Sequence, residues 1–319
     1  MKETRLGGMT PSVLPTPHYE GTRLRDDARP DTAWREELRR IPNVRNAVSI
    51  VSLYAQTATV IGFTLWWNHP LGWLLGVLLM GRAHAQFMSI MHESAHRLLF
   101  SSKSVNDWVG RWLIGYPAFT NTDAYRRVHM AHHRDEFGPE EPDMPLYANY
   151  PITLASWRRK IWRDATGRTG LKLLRQQFVG LRGTDPLSRQ SQRKILAMQV
   201  VLLTLSIVLR SPQVYLVLWL LPFLTVWRVI NRLRSVAEHG GMQRGDDRRM
   251  ATHSVRQTAL ARFFLVPFNI GFHLSHHVDA GIPFRSLPKF HQELARAGYL
   301  TTEIEYPSYR SLWQALRAG

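Results

Sequence analysis

Three histidine clusters recur along the chain: His92-Glu93-Ser94-Ala95-His96, His129-Met130-Ala131-His132-His133 and His273-Leu274-Ser275-His276-His277. A single His239 sits in Ala237-Glu238-His239-Gly240-Gly241. Histidine is the commonest metal ligand among side chains, and these spacings place ligands on common helix faces. Residues i and i+3 or i+4 are neighbours on a helix, so His92 and His96 can point at one ion. His129 shares a face with both His132 and His133, while adjacent residues diverge by about 100°. Such a triplet can address two ions side by side, and His273, His276 and His277 repeat it. With His239, nine imidazoles can converge. That is too many for one tetrahedral or octahedral ion and suits two ions with open positions. His18, His69, His253 and His291 have no matching partners and read as ordinary surface or loop residues.

Imidazole ligands suit zinc, copper, iron and nickel. The letters of His92–His96 also fit the HExxH pattern of zinc proteases, but a protease of that kind leaves both HxxHH clusters unused. The two Glu-x-x-His motifs of carboxylate di-iron bundles are not both present, Glu93–His96 being the one such spacing, so a two-metal site here would be histidine-rich and carboxylate-poor. Glu93, Glu238 and Asp279 adjoin candidate ligands and could orient them through the second ring nitrogen, against the plainer reading of surface charge. The chain has no cysteine, which excludes disulfides, thiolate zinc, iron–sulfur clusters and a cysteine nucleophile.

The clusters need elements to position them. Two apolar blocks run from about Val48 to Met91, broken at Asn68-His69-Pro70, and from about Ile195 to Ile230, broken at Arg210-Ser211-Pro212-Gln213. Each reads as two helices joined by a tight turn: Val48–Trp67, Leu71–Met91, Ile195–Leu209 and Val214–Ile230. A membrane helix needs roughly 17–25 mostly apolar residues; three pieces meet that, and Ile195–Leu209 does so only with its flanks. Residues 31–41 predict a short interfacial helix with Asp31 as N-cap. His84 lies two helical turns before His92 and reads as a satisfied buried histidine ahead of a place beside the metal. Of 41 lysines and arginines, 38 fall in residues 1–47, 92–194 and 232–319. Cytoplasmic loops collect these residues, so both termini and the metal site are expected in the cytoplasm. The formal charge of +17 then reads as an insertion signal and a contact with anionic headgroups of membrane lipids, and nucleic-acid binding is not expected.

The expected architecture is all-α and integral to a membrane: four transmembrane helices in two hairpins, with a cytoplasmic helical cap that carries the metal site. Residues 1–47 are expected as a partly mobile cytoplasmic segment, 48–290 as the membrane domain and 291–319 as a cytoplasmic tail.

At these residues the chain resembles the membrane fatty acid desaturase and hydroxylase superfamily, whose hallmark is three histidine boxes. The resemblance covers roughly residues 48–290. It rests on the order of the boxes, their spacing from the two hairpins, the stretch His132-His133-Arg134-Asp135 through Pro139-Glu140-Glu141-Pro142-Asp143, and Ala237–Gly241. It implies two non-haem irons held by His92, His96, His129, His132, His133, His239, His273, His276 and His277. It also implies O2 as co-substrate and a separate electron donor of ferredoxin, rubredoxin or cytochrome b5 type. The implied reaction is desaturation of a fatty acyl chain on lipid, CoA or acyl-carrier protein. Hydroxylation of a lipid, alkane or carotenoid is the alternative within the superfamily, and a non-catalytic metal-binding membrane protein the alternative outside it. Where the acyl-CoA branch has an asparagine one turn before the single histidine, this chain has Ser235, with Asn231 one turn further back.

Overall fold

In a computed structural model the chain is mostly helical, with almost no strand. The structure describes residues 4–139 and 141–319; Glu140, within the motif quoted above, lies outside the described residues. The helices are α1 Thr32–Leu38, α2 Asn43–Trp67, α3 Pro70–Ala95, α4 Lys103–Val109 and α5 Thr122–Arg134. Then follow α6 Met144–Tyr147, α7 Leu154–Ala165, α8 Arg168–Gly180, α9 Pro186–Val208 and α10 Leu221–Leu224. The last are α11 Val226–His239, α12 Ala259–Phe264, α13 His273–Val278, α14 Leu287–Arg296 and α15 Tyr309–Leu316. Two short strands, β1 Ser254–Val255 and β2 Glu305–Tyr306, pair in parallel. The chain divides into two compact units, one of residues 1–41, 128–158 and 232–319, the other of residues 42–127 and 159–231.

Four helical stretches are long and apolar enough to cross a membrane: Thr32–Trp67, Pro70–Ala95, Pro186–Val208 and Val214–His239. They match the four segments expected from hydropathy, the third ending one residue short of the expected Leu209. The third is longer than its apolar run because Asp185 caps it, accepting from the N–H groups of Leu187 and Ser188 at 3.1 and 2.9 Å, with Pro186 in the first turn. A proline there costs no hydrogen bond. Thus α9 reaches 23 residues, about 35 Å at 1.5 Å per residue, against a hydrocarbon core of about 30 Å. The fourth stretch is not one regular helix. Residues Val214–Leu220 are π-helical, and Thr225 leaves helical geometry at φ −120°. Pro222 has no N–H to return to the preceding turn, and such a gap is where helices deform.

In the unit of residues 42–127 and 159–231, α2 ends on Asn68 in the left-handed conformation, its N–H bonded to the Thr64 carbonyl. His69 then caps α3, its Nδ1 accepting from Leu71 N–H at 3.2 Å. Small residues allow close approach between apolar helices, where packing takes the place of the hydrophobic effect. A Cβ on Gly76 would stand 2.6 Å from Thr64 Oγ1, and one on Gly170 would stand 2.3 Å from the Leu224 carbonyl oxygen. His84 is fully buried; its Nε2 lies 3.0 Å from the Trp219 carbonyl, while its Nδ1 has no hydrogen-bond partner among the described residues, so the expected buried histidine is satisfied at one nitrogen only. The charged end of Arg82 is held by the Gln56 and Gln86 side-chain oxygens at 3.0 Å each.

The end of α3, which carries the first histidine cluster, is clamped. Arg126 donates to the Ala95 and Ser94 carbonyls at 2.8 and 2.9 Å and to Asp107 at 2.6 Å. A cation on the last carbonyls of a helix also complements its dipole. Asn106 accepts from Leu99 N–H and donates to the Ser94 carbonyl, and Asn46 donates to the Leu99 carbonyl. The turn after His96 is fixed by side-chain amides.

In the other unit, α1 forms as expected on the Asp31 cap, whose carboxylate accepts from Trp34 N–H at 2.8 Å. Its Trp34 and Leu38 pack with Leu274 and Val278 of α13 and with Leu287, Phe290 and Leu294 of α14. Residues ahead of α1 are pinned by main-chain bonds from Gly7 and Met9 to the Met242 and Gly241 carbonyls and by Arg249 on the Pro15 carbonyl.

Gly170→Ala places a methyl group against the Leu224 backbone, which no rotamer change can relieve. Overpacking of this kind costs about 1–3 kcal/mol. The expected result is a lower melting temperature in detergent than that of Gly183→Ala, where the only atom of the described residues close to an added Cβ is the Gly180 carbonyl oxygen at 3.3 Å.

Candidate metal centre

Seven of the nine candidate ligands belong to one unit. His129, His132 and His133 lie on the second half of α5, His239 ends α11, and His273, His276 and His277 lie on α13. The structure brings these seven together, buried or nearly so. His92 and His96 belong to the other unit, at the end of α3, where their ring centroids are 4.7 Å apart. Burial, reinforced by the Arg126 charge, lowers the His96 pKa to about 3, so this ring is neutral and one of its nitrogens keeps a lone pair for a metal.

The seven fall into two adjoining sets. In the first, His133 Nε2 lies 3.1 Å from His129 Nε2 and 3.0 Å from His276 Nε2. In the second, His273 Nε2 lies 3.0 Å from both His239 Nε2 and His277 Nε2, and ligand atoms of His132, His239 and His277 are all within 4.8 Å of one another. The sets touch through His133 and His277, whose ring centroids are 4.4 Å apart.

The far nitrogens decide what the near ones can do. His239 Nδ1 lies 2.9 Å from the Ala251 carbonyl. A carbonyl only accepts, so Nδ1 carries the hydrogen and, in the neutral ring, Nε2 carries a lone pair. His132 Nδ1 donates to Glu141 at 2.8 Å, with the Tyr147 hydroxyl 3.2 Å away. His277 Nδ1 is hydrogen-bonded to Glu136, which also pairs with Arg248 at 3.0 Å. His273 Nδ1 faces Glu238 at 3.5 Å. Hydrogen bonds of this kind fix the tautomer and raise the basicity of metal-bound imidazoles. Burial drives His277 well below the ordinary imidazole value, and the neighbouring histidines add to this. For His132, burial lowers the pKa, but the Glu141 carboxylate outweighs it and the net shift is upward. Burial pushes the Glu136 carboxyl up to about 7, while the Arg248 charge opposes it.

This donor set fits metal ions. Lone pairs of buried neutral rings cannot face one another without a proton or a cation between them. Two nitrogens at about 2.1 Å from one ion and at right angles to each other are about 3.0 Å apart, which is the Nε2 spacing within both sets.

Of the three carboxylates proposed from sequence as ligand orienters, Glu93 is buried and so is not surface charge, and the other two face partners other than the rings they adjoin. Glu238 accepts from Arg234 at 2.6 Å and faces His273 at 3.5 Å in place of the adjoining His239, whose Nδ1 is turned to the Ala251 carbonyl. Asp279 is instead taken by Arg35, which donates to it at 2.5 and 3.0 Å, because the residue after α13 faces α1. The orienting carboxylates the sequence reading missed are Glu136 and Glu141. They lie three and eight residues beyond His133, on a loop whose folding no periodicity encodes; the Pro139–Asp143 stretch was the available signal. His253 is buried, with Nε2 2.9 Å from the Gly240 carbonyl, and His291 spans Ser275 and Glu305 at 3.0 and 3.2 Å. Both brace the ligand-bearing segments, a closer role than that of ordinary surface or loop residues.

The sequence model described as fatty acid desaturase matches residues 64–310. Among curated proteins, dihydrorhizobitoxine desaturase of Bradyrhizobium elkanii is 28% identical over 265 residues, covering 77% of this chain and 74% of that protein. The converging histidines and this match agree, and the chain belongs to the fatty acid desaturase family.

Proposed function

We propose that the chain is an O2-dependent desaturase of a fatty acyl chain, embedded in the membrane and built around two non-haem irons. The observation that carries the reading is the convergence of seven imidazoles, three of which, His132, His239 and His277, have Nδ1 turned to an acceptor, in a chain of the desaturase family. His129, His133 and His276 would hold one ion and His132, His239, His273 and His277 the other, and the family resemblance adds His92 and His96 to the ligands. Bound there, two irons supply the oxidising power that removing hydrogens from an unactivated methylene requires, which no side chain has. Reduction of O2 to two waters takes two electrons from the C–H bonds and two from a separate donor protein.

The chain's own residues do the positioning. Glu141, Glu136 and the Ala251 carbonyl keep the Nδ1 hydrogens of His132, His277 and His239, so that each Nε2 lone pair stays aimed inward. Tyr147, on α6, supports His132 and Glu141 together. The four apolar stretches form two membrane hairpins, with both termini and the histidine clusters on the cytoplasmic side. The placement of 38 of the 41 basic residues outside the apolar blocks and their turns supports that orientation. The relative's name assigns it desaturation of dihydrorhizobitoxine, which favours desaturation over hydroxylation and makes that compound a substrate to test beside acyl lipids.

Expression in a host followed by lipid mass spectrometry is expected to show an acyl species two hydrogens lighter, dependent on O2. A product one oxygen heavier would overturn desaturation in favour of hydroxylation. Purified protein is expected to hold about two irons per chain, and His132→Ala is expected to abolish turnover; full activity in that variant would remove the second cluster from the site. Glu141→Gln leaves all nine ligands in place, and loss of such an orienting partner is expected to weaken iron retention about 10–100-fold, read by chelator competition. The upward shift of His132 sets a pH dependence. A group with a raised pKa holds its proton to higher pH, and the doubly protonated ring has no lone pair to give. Iron retention is therefore expected to fall as pH drops through that raised value, scanned from about pH 8 to 5, and to recover on the alkaline side.

A further inference from the structure

The segment leading into α9 carries chemistry that the metal site does not use. Residues 154–182 contain eight lysines and arginines and one acid, Asp164. That acid is buried and accepts a hydrogen bond from Thr169, so the exposed charge here is all positive. On α8, Gly170 is buried against Leu224 and Leu174 and Gln177 are half-buried, which leaves Leu171, Lys172, Arg175 and Phe178 on the outer face. That face mixes cations with large apolar groups. Trp162 is 67% exposed and Phe178 52% exposed, although a merely solvated basic helix has no use for either. Helices with this mixture lie in the headgroup layer of a membrane.

Between the two helices, Arg163, Arg168 and Lys172, with Thr169, Leu173 and Gln176, line a cleft of about 180 Å³. It is large enough for a phosphate group, offers three cations and a side-chain amide, and has no carboxylate in its lining. Helix α8 packs on α9 and α10, within two of the stretches apolar enough to cross a membrane.

We propose that α7 and α8 form a membrane-surface element whose cleft binds the phosphate of an anionic membrane lipid, with Trp162 and Phe178 seated among the headgroups. The inference rests on the reading of the chain as membrane-embedded. Charge complementarity selects an anion. The flanking exposed aromatics select a lipid over free phosphate, and over an acidic protein that cations alone would satisfy.

The test uses the full chain in mild detergent, offered equal amounts of phosphatidylglycerol and phosphatidylcholine and followed by native mass spectrometry. A phosphatidylglycerol adduct is expected to predominate and to persist in millimolar inorganic phosphate. Arg163→Gln/Arg168→Gln/Lys172→Gln is expected to lower that preference about tenfold or more. Arg40→Gln/Arg310→Gln/Arg317→Gln, which removes the same charge elsewhere, is expected to keep it. Phosphatidylglycerol is also expected to raise the melting temperature of the wild type and not of the cleft variant. If the triple variant does not purify as one species, Lys172→Glu alone carries the same expectation. An unchanged preference in the cleft variant, or displacement by inorganic phosphate, overturns the proposal. So does an acidic protein that competes with the lipid for the same three cations. Alkaline carbonate extraction separates the two levels: release of the chain from membranes overturns the embedded reading, whereas a retained chain blind to phosphatidylglycerol overturns only this one.

Discussion

Neutral imidazoles repel when their lone pairs meet, and much of the ligand-bearing unit is arranged around making them meet. The Ala251 carbonyl can only accept, which commits His239 to one tautomer. Glu141 and Glu136 commit His132 and His277 in the same way. Each commitment turns an Nε2 lone pair inward. With three such rings offering ligand atoms within 4.8 Å of one another, a cation becomes part of the fold's own electrostatic balance. The peripheral packing follows from that requirement. The Trp34–Phe290 core supports α13 from behind, the main chain of His253 donates to the Glu238 carbonyl while its ring reaches the Gly240 carbonyl, and Gly241 N–H donates to the Tyr147 carbonyl.

Legibility in the sequence followed periodicity. Helix-face spacing singled out His129, His132, His133, His273, His276 and His277, because i, i+3 and i+4 relations survive any tertiary arrangement. The Asp31 cap was readable for the same local reason. Glu136 and Glu141 were not, since they reach their rings through a non-repeating loop and act across distances that sequence spacing does not encode. Asp279 misled in the opposite sense. It is adjacent to His277 in the chain, yet the end of α13 turns it to Arg35.

The apolar stretches show a second limit. Hydropathy located all four, but it measures composition and not hydrogen bonding. The extra turns of α9 come from the Asp185 cap, a polar residue outside the apolar run. The π-helical turn and the Thr225 break come from a missing N–H at Pro222, which scores as an ordinary small residue. In both cases the main-chain donors and acceptors set the element and the side-chain hydropathy followed.

If the histidines hold two cations as proposed, the carboxylates explain how a ligand set without carboxylates does so inside a protein. Direct carboxylate ligands would neutralise the ions and lower their affinity for anions. Imidazoles leave that charge in place, and burying it uncompensated would be costly. Glu136, Glu141 and Glu238 sit on the outer side of the rings of His277, His132 and His273. Each is one imidazole's width from the site, so it offsets the charge through the ring without occupying a coordination position. Burial raises the Glu136 carboxyl, and an ion at His277 Nε2 would favour its ionised, purely accepting form. On this argument the acceptors behind the rings belong to the metal centre as fully as the rings themselves.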